Sequence, residues 1–429
     1  MAIVAEGLLS RLSFGLISFS LPLYARHLGL SLSEVGVLAA LNSAVAIALK
    51  PLFGSVADRF GLKRTYLTAI SLRSLVSLAF GFAVAPWQLF AIRGVHGIAV
   101  SMRDPPANAL IAEHGGEKSV ASAYAWYQTA KTVAGSLSRA IAGILLTVTA
   151  DNYALIFFVA FALSMLPLLV VNRYVSERSE SHDRTDNRGS SSALEAELQS
   201  AESSAPAPIQ ATRGRPKVLP FVGLGFLIAS TAEMLNGLFP VLATEYAGLS
   251  KAQAGVIYTV STLAIIVSGP LFGWLSDNVS RKLVLTVRAA ANTCSSILYL
   301  VAPTFAGIAA AKIVDDVGKA AFRPAWGALM AEVSSYDKAN RARTMGWMSM
   351  GEDAGAALAP IVAGLLWSTW GIGAMMGVRV ALAMATELYV VLVTRRPPER
   401  LGRVNPHARD EKSATHAPPN IAARPEDEP

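Results

Sequence analysis

Charge is scarce in this sequence. Only 16% of its 429 residues are Asp, Glu, Lys or Arg, against roughly 25% in soluble chains, and the mean hydropathy is +0.43. That deficit excludes an ordinary soluble protein of two or three domains. Cysteine is nearly missing: Cys294 stands alone, which excludes an internal disulfide or a CxxC site and leaves the redox compartment open. His96 and His114 have no ligating neighbours at useful spacing, so no metal site is read. No phosphate loop, nucleophile–base constellation or nucleic-acid module occurs. Catalysis, ATP hydrolysis and nucleic-acid binding therefore have no residues to carry them, and no cofactor is expected. The formal charge of +7 is no nucleic-acid signal either, because Lys and Arg gather at the ends of apolar blocks, where membrane anchors stand.

What is present in excess is apolar sequence, 53% of the chain, cut into blocks near the roughly 20 residues that a helix needs to cross a bilayer. The first block, about Ile3 to Tyr24, lacks a basic leader and a small-residue cleavage pattern and carries Glu6 and Arg11, so it reads as a spanning helix rather than a signal peptide. Ser31-Leu-Ser-Glu34 predicts a capping box at the start of the second. Further spans are expected at about 64–84, 87–110, 119–148 and 152–172. A second set follows at about 217–240, 251–274, 283–302, 305–330, 342–368 and 372–394, making twelve helices. Residues 173–216 are rich in Ser, Pro and mixed charge and poor in large apolar residues, and 395–429 are similar. Such composition cannot offset its ordering entropy, so a disordered linker and tail are expected between and after two bundles at 1–172 and 217–394.

The two sets are copies. Gly54-Ser-Val-Ala-Asp58-Arg59-Phe-Gly61-Leu-Lys63-Arg64 is matched 219 residues on by Gly273-Trp-Leu-Ser-Asp277-Asn-Val-Ser-Arg281-Lys282. At the same offset Gly29, Ser31, Glu34, Gly36 and Pro51 meet Gly248, Ser250, Gln253, Gly255 and Pro270. One unit has been duplicated. Loops on the side of the charged turns hold Arg59, Lys63, Arg64, Lys118, Arg281, Lys282, Lys338, Arg341 and Arg343, while the opposite loops offer little beyond Arg26 and Lys251. The positive-inside rule makes the basic side cytoplasmic, and with it both termini and the linker. Asn278-Val-Ser280 is a glycosylation triplet on that side and is discounted.

Twelve helices, a central linker and the G-x-x-x-D-R-x-G-x-K-R turn resemble the major facilitator superfamily of secondary transporters. The resemblance covers about 1–172 and 217–394. It implies an all-α membrane fold of two pseudo-symmetric six-helix bundles rocking about a site formed mainly by helices one, four, seven and ten. It also implies that Gly54, Asp58, Arg59, Gly61, Lys63 and Arg64 form a conformational latch, with Gly273, Asp277, Arg281 and Lys282 as its weaker partner. Leu89-x-x-x-Arg93-x-x-His96-Gly97 is similar to a motif of the drug:proton antiporter branch, with His96 in place of a usual glutamine. Helix five departs from that branch: Ser138-Arg139-Ala-Ile-Ala-Gly143 has arginine where proline is usual, and the better version is Gly355-Ala-Ala-Leu-Ala359-Pro360-Ile-Val-Ala-Gly364. The resemblance implies a monomer in the plasma membrane, with a small-molecule substrate and protons as coupling ion.

Charges within spans are the most informative single residues, since each costs roughly 2.5–3.5 kcal/mol at a helix centre. Asp315, Asp316, Glu352, Asp353 and Glu233 are candidate proton-coupling acids. Of each adjacent pair one is expected to face the cavity, because neighbours on a helix point about 100° apart. Arg93, Arg103, Lys131 and Arg139 are candidate substrate-binding cations, since guanidinium and ammonium groups bind carboxylate or phosphate. The bland alternative for any of them is an internal ion pair, such as Lys312 or Lys319 with Asp315 or Asp316. Export of a small organic molecule or drug, uptake or exchange of an organic anion, and a non-transporting receptor-like protein all remain open at this stage.

Overall fold

The computed structural model describes residues 2–115, 120–174, 218–278, 281–335 and 341–394. They are almost wholly helical. In the first half α1 spans Ala2–His27, α2 Leu32–Phe60, α3 Leu62–Phe82, α4 Pro86–Gly115, α5 Val120–Val148 and α6 Tyr153–Tyr174. In the second half α7 is Leu219–Glu233, followed by a helical turn at Phe239–Val241 and a π turn at Leu242–Tyr246. Then come α8 (Lys251–Asn278), α9 (Arg281–Val301) and α10 (Phe305–Ser335). The last helical stretch, Arg341–Thr394, is two helices, α11 (341–370) and α12 (372–394), divided where Gly371 takes φ 83°. Only a residue without a Cβ adopts that conformation cheaply. Twelve helices result among the described residues, the number that the apolar blocks imply. The expected linker, 173–216, falls almost entirely outside the described residues, and the expected tail at 395–429 entirely so.

Local sequence explains the ends. In the first copy the Ser31 amide donates to Glu34 Oε2 at 2.7 Å and the Glu34 amide to Ser31 Oγ at 3.3 Å. In the second the Ser250 amide donates to Gln253 Oε1 at 2.9 Å and the Gln253 amide to Ser250 Oγ at 3.1 Å. The same reciprocal cap thus starts α2 and α8. Gly29 and Gly248 stand one residue pair upstream, both at positive φ. The seventh span is less regular than its expected 217–240 block: helix gives way to turns at 234–238 before resuming. Gly237 and Pro240 stand there, and both weaken a helix interior.

α4 and α10 are less apolar along their length than α3, α5, α8 and the α11–α12 stretch, each of which has a run apolar enough to cross a membrane. Burial removes the paradox: Arg93, Arg103, Lys312, Asp315 and Asp316 all point inward. α1 packs on α5 and α6, and α2 on α4. Across the halves α2 packs on α11, and α5 on α8. Those two crossings are glycine crossings. A Cβ on Gly36 would lie 3.2 Å from the Gly364 Cα, and one on Gly143 would lie 3.2 Å from the Gly255 Cα. The halves thus meet backbone to backbone at the end marked by Gly29 and Gly248, called the closed end below.

Candidate functional site

Three groups of polar residues lie inside the bundle. The first surrounds a cavity of about 230 Å³ in the first half, lined by Gly7, Ser10, Arg11, Phe14, Asn42, Arg73, His96, Val100, Arg103, Asp104 and Lys131. Helices α1 to α5 all contribute. At about 1.5 Å rise per residue its lining sits roughly 14–30 Å from the closed end, near mid-membrane and beyond. Glu6 is fully buried behind its wall. Arg103 Nη2 donates to both Glu6 oxygens at 3.0 and 3.1 Å, and the Tyr66 hydroxyl donates to the same carboxylate. Arg73 donates to Ser10 Oγ and to the Ser10 carbonyl, each at 3.1 Å. The Arg11 and Arg73 guanidiniums lie 4.9 and 5.0 Å from the Phe14 ring centre, in cation–π range.

The second group is an ion network in the second half. Asp315 Oδ1 accepts from Arg379 Nη2 at 2.6 Å and from Arg288 Nη1 at 3.3 Å, and its Oδ2 accepts from Lys319 at 2.8 Å. Asp316 accepts from Lys312 at 2.8 Å, from Ser261 Oγ at 2.8 Å and from Lys319 at 3.4 Å. Lys312 also faces the rings of Phe239 and Tyr258 at 5.4 and 5.3 Å. The bland pairings expected for Lys312 and Lys319 are therefore present, with Arg288 and Arg379 added. Both aspartates belong to this network, and neither lines the cavity.

The third group joins the halves. Lys50 lies 3.9 Å from Asp104 in α4 and 3.9 Å from Asp353 in α11, with all three half-exposed. Asp104 in turn lies 3.8 Å from Arg103. A run of alternating charge therefore leads from Asp353 to the cavity wall. Near the closed end Arg26 pairs with Glu245, Lys251 with Asp151, and the Ala252 amide with Thr147 Oγ1 at 3.1 Å.

The remaining sequence candidates scatter. Arg93 is buried but turned away from the cavity, donating to the Leu38 carbonyl at 3.2 Å and contacting His96 Nδ1 at 3.2 Å. Arg139 stands 4.6 Å over the Tyr258 ring, across the interface between halves. Glu352 accepts from Trp326 Nε1 at 3.1 Å, and Glu233 from Asn236 at 2.7 Å where α7 ends. Of the charged turn, Gly61 has φ 91°, Arg59 and Arg64 are exposed, and Lys63 donates to the Asn172 carbonyl at 3.3 Å. The side-chain positions of Gly54, Asp58, Gly273, Asp277, Arg281 and Lys282 lie outside the described residues. Sequence reasoning passed over Arg379, Arg11, Arg73 and Glu6 as site residues. Arg379 is one of two charges, with Glu387, in the apolar block 372–394, and the rule applied to the other buried charges picks it out too.

Residues 7–231 and 221–424 match the sequence profile of the Major Facilitator Superfamily. The chain belongs to the major facilitator superfamily. It is therefore an integral, multi-pass membrane transporter of that family, whose members move small molecules rather than catalyse reactions. Among curated relatives it is 26% identical over 282 residues to the multidrug resistance protein MdtG of Proteus mirabilis, covering 63% of this chain and 65% of that one. It is 24% identical over 403 residues to MdtG of Yersinia enterocolitica, covering 90% of each. The chain thus spans about two thirds of the length of the first of these relatives and nine tenths of the second. A probable 4-methylmuconolactone transporter of Cupriavidus pinatubonensis is 31% identical over 134 residues, 31% of each chain. Among solved structures, a bacterial homolog of the human lysosomal transporter Spinster superposes with a TM-score of 0.71 at 14% identity, covering 92% of this chain and 96% of that one. The nucleoside transporter NupG superposes with a TM-score of 0.67 at 16% identity, covering 92% and 98%. At such identities the superfamily transporter fold is what is shared.

Proposed function

We propose that this major facilitator superfamily transporter works by alternating access and exports a small organic molecule in exchange for protons. The carrying observation is the distribution of contacts between halves. Glycine crossings and ion pairs bind them at the Gly29/Gly248 end, whereas the polar cavity lies deeper and the Lys50, Asp104 and Asp353 side chains beside the interface are half-exposed. With the basic loops in the cytoplasm this is the inward-facing state of a monomer in the cytoplasmic membrane, both termini inside. The multidrug-resistance relatives support export. Asp316, held by two lysines beside Ser261, is the proposed proton-coupling acid, with Asp315, Glu352, Asp353 and Glu233 as further candidates. The charged turns after α2 and α8 are the proposed cytoplasmic latch, with Asp58 and Asp277 as its acids.

The test is substrate-dependent proton movement in proteoliposomes loaded with a pH-sensitive dye, wild type beside Asp316→Asn and Glu352→Gln. Coupled movement that is lost in Asp316→Asn supports the proposal. Substrate flux that is indifferent to an imposed pH gradient overturns the coupling, and no flux with any compound overturns transport by this chain.

A further inference from the structure

The inner face of α9 is polar along most of its length. Arg288, Asn292, Ser295, Ser296 and Tyr299 recur every three or four residues, which puts them on one side of a helix, and all five are buried. Cys294, Ile297 and Val301 are exposed on the other side. Ser295 and Ser296 donate to the Asn292 carbonyl and accept from Arg379 Nη1. Arg288 Nη1 donates to the carbonyl and to Oδ1 of Asp315. Gly318 of α10 makes room for it, since a Cβ there would lie 3.3 Å from Nη1.

Among the described residues, four atoms of this stripe lack any hydrogen-bond partner: Arg288 Nη2, Asn292 Nδ2, Asn292 Oδ1 and the Tyr299 hydroxyl. Their residues are 5%, 1% and 0% exposed. Buried polar groups are almost always hydrogen-bonded. Turning the Asn292 amide end for end only exchanges one unmet atom for the other, so a flip does not remove the deficit.

The chemistry of the four atoms selects what fits between them. Arg288 Nη2 and Asn292 Nδ2 only donate, Asn292 Oδ1 only accepts, and the Tyr299 hydroxyl does either. A halide would leave Oδ1 unmet. A metal cation would stand beside the Arg288 and Arg379 guanidiniums, which share Asp315 Oδ1. Water both donates and accepts, and an internal water makes about three such bonds. The first half supplies a contrast. At the 219-residue offset Tyr299 corresponds to Phe80 and Asn292 to Arg73. Phe80 is equally buried and has no hydroxyl to satisfy, and Arg73 is long enough to reach Ser10 in α1.

We propose that ordered water occupies the space between α9, α10 and α12, held by Arg288, Asn292 and Tyr299 beside the Asp315 network. That network is thus a hydrated one rather than a set of dry ion pairs. The assignment holds whether or not the chain exchanges protons for a substrate.

The experiment is hydroxyl-radical footprinting of the full-length protein in micelles by short X-ray pulses, read residue by residue by mass spectrometry. Radicals made from bound water mark the side chains that touch it, even where bulk solvent is excluded. Tyr299 should be oxidised severalfold faster than Phe80. In Tyr299→Phe the comparison is phenyl against phenyl, and position 299 should still outpace Phe80, because Arg288 and Asn292 keep their atoms. Asn292→Leu preserves the volume but removes two of the four partners, and should bring the rate at Tyr299 down towards that of Phe80. Equal rates at positions 299 and 80 in wild type and in Tyr299→Phe overturn the proposal, as does an unchanged rate in folded Asn292→Leu. A melting temperature that rises saturably with chloride but not with gluconate, and loses that response in Tyr299→Phe, would put a halide there and overturn it too.

Discussion

Arg26 Nε lies 2.9 Å from Glu245 Oε1, and the two residues are 219 apart, the offset that relates the two halves of the chain. Each occupies in its own copy the position that the other holds in its own. A side chain that meets its own counterpart stands on the pseudo-two-fold axis, so this pair pins the centre of the closed end. Nη2 adds a bond to Glu245 Oε2 at 3.0 Å, and Nη1 donates to the Leu30 carbonyl at 2.6 Å.

Position on the axis makes the pair tolerant of exchange. Arg26→Glu alone or Glu245→Arg alone places like charges together and should open the closed end. Arg26→Glu combined with Glu245→Arg should restore it. Spin labels at the exposed Asn152 and Ser250 would read the separation. Equal distances in all four proteins would refute the pin.

The glycine crossings are the stronger constraint. A Cβ at Gly36 overlaps the Pro360 carbonyl oxygen, and one at Gly143 overlaps the Lys251 carbonyl oxygen, both in the other half. Gly36→Ala and Gly143→Ala should therefore leave each half folded and deny the protein its closed end. Export should fall by an order of magnitude or more, with only a small change in melting temperature. Full activity in either variant contradicts the crossing.

Arg379 should be the residue most costly to remove. It is fully buried and donates to the Thr231 carbonyl, Ser295, Ser296 and Asp315, tying α7, α9 and α10 to α12. Arg379→Leu breaks a buried pair, worth about 3–5 kcal/mol where such losses have been weighed. Arg379→Lys should rescue little, because an ammonium cannot span four acceptors in a fork. Denaturant unfolding in micelles measures both, and a loss near zero for the leucine variant would contradict the network.

Lys50 predicts the opposite pattern. Its side chain is 38% exposed and both its carboxylate partners are 3.9 Å away, so the pairs contribute at most about 1 kcal/mol and weaken with salt. Lys50→Gln should keep the melting temperature and change the transport rate, an effect that shrinks at high ionic strength. A melting temperature lowered as far as in Arg379→Leu would show a structural post instead.

Much of the fold was legible because its signals are local. The caps at Ser31 and Ser250 and the glycines before them depend on neighbours in the chain, and the repeat shows as one fixed offset in the sequence. The site was legible only as depth. Counting residues along α5 and α10 puts Lys131 and Asp316 near mid-membrane, but which residue meets which depends on the rotation of each helix and on partners dozens of positions away. Arg103 meets Glu6 across 97 residues, and Asp315 meets Arg379 across 64. The adjacent acids of α10 are the clearest case. A turn of about 100° between them was expected to put one inward, yet cations from α9, α10 and α12 reach around the helix and engage both.

The duplicated halves have come to differ in what they do with their charges. At the shared offset, Arg93 and His96 of α4 correspond to Lys312 and Asp315 of α10. The second copy draws its charges into one network, and Asp316, the proposed coupling acid, sits inside it. The first sets several of its own along the wall of a cavity. That cavity is walled by one half only, so under the proposed alternating access it moves as a unit, a hold carried on a single arm rather than a space divided between two.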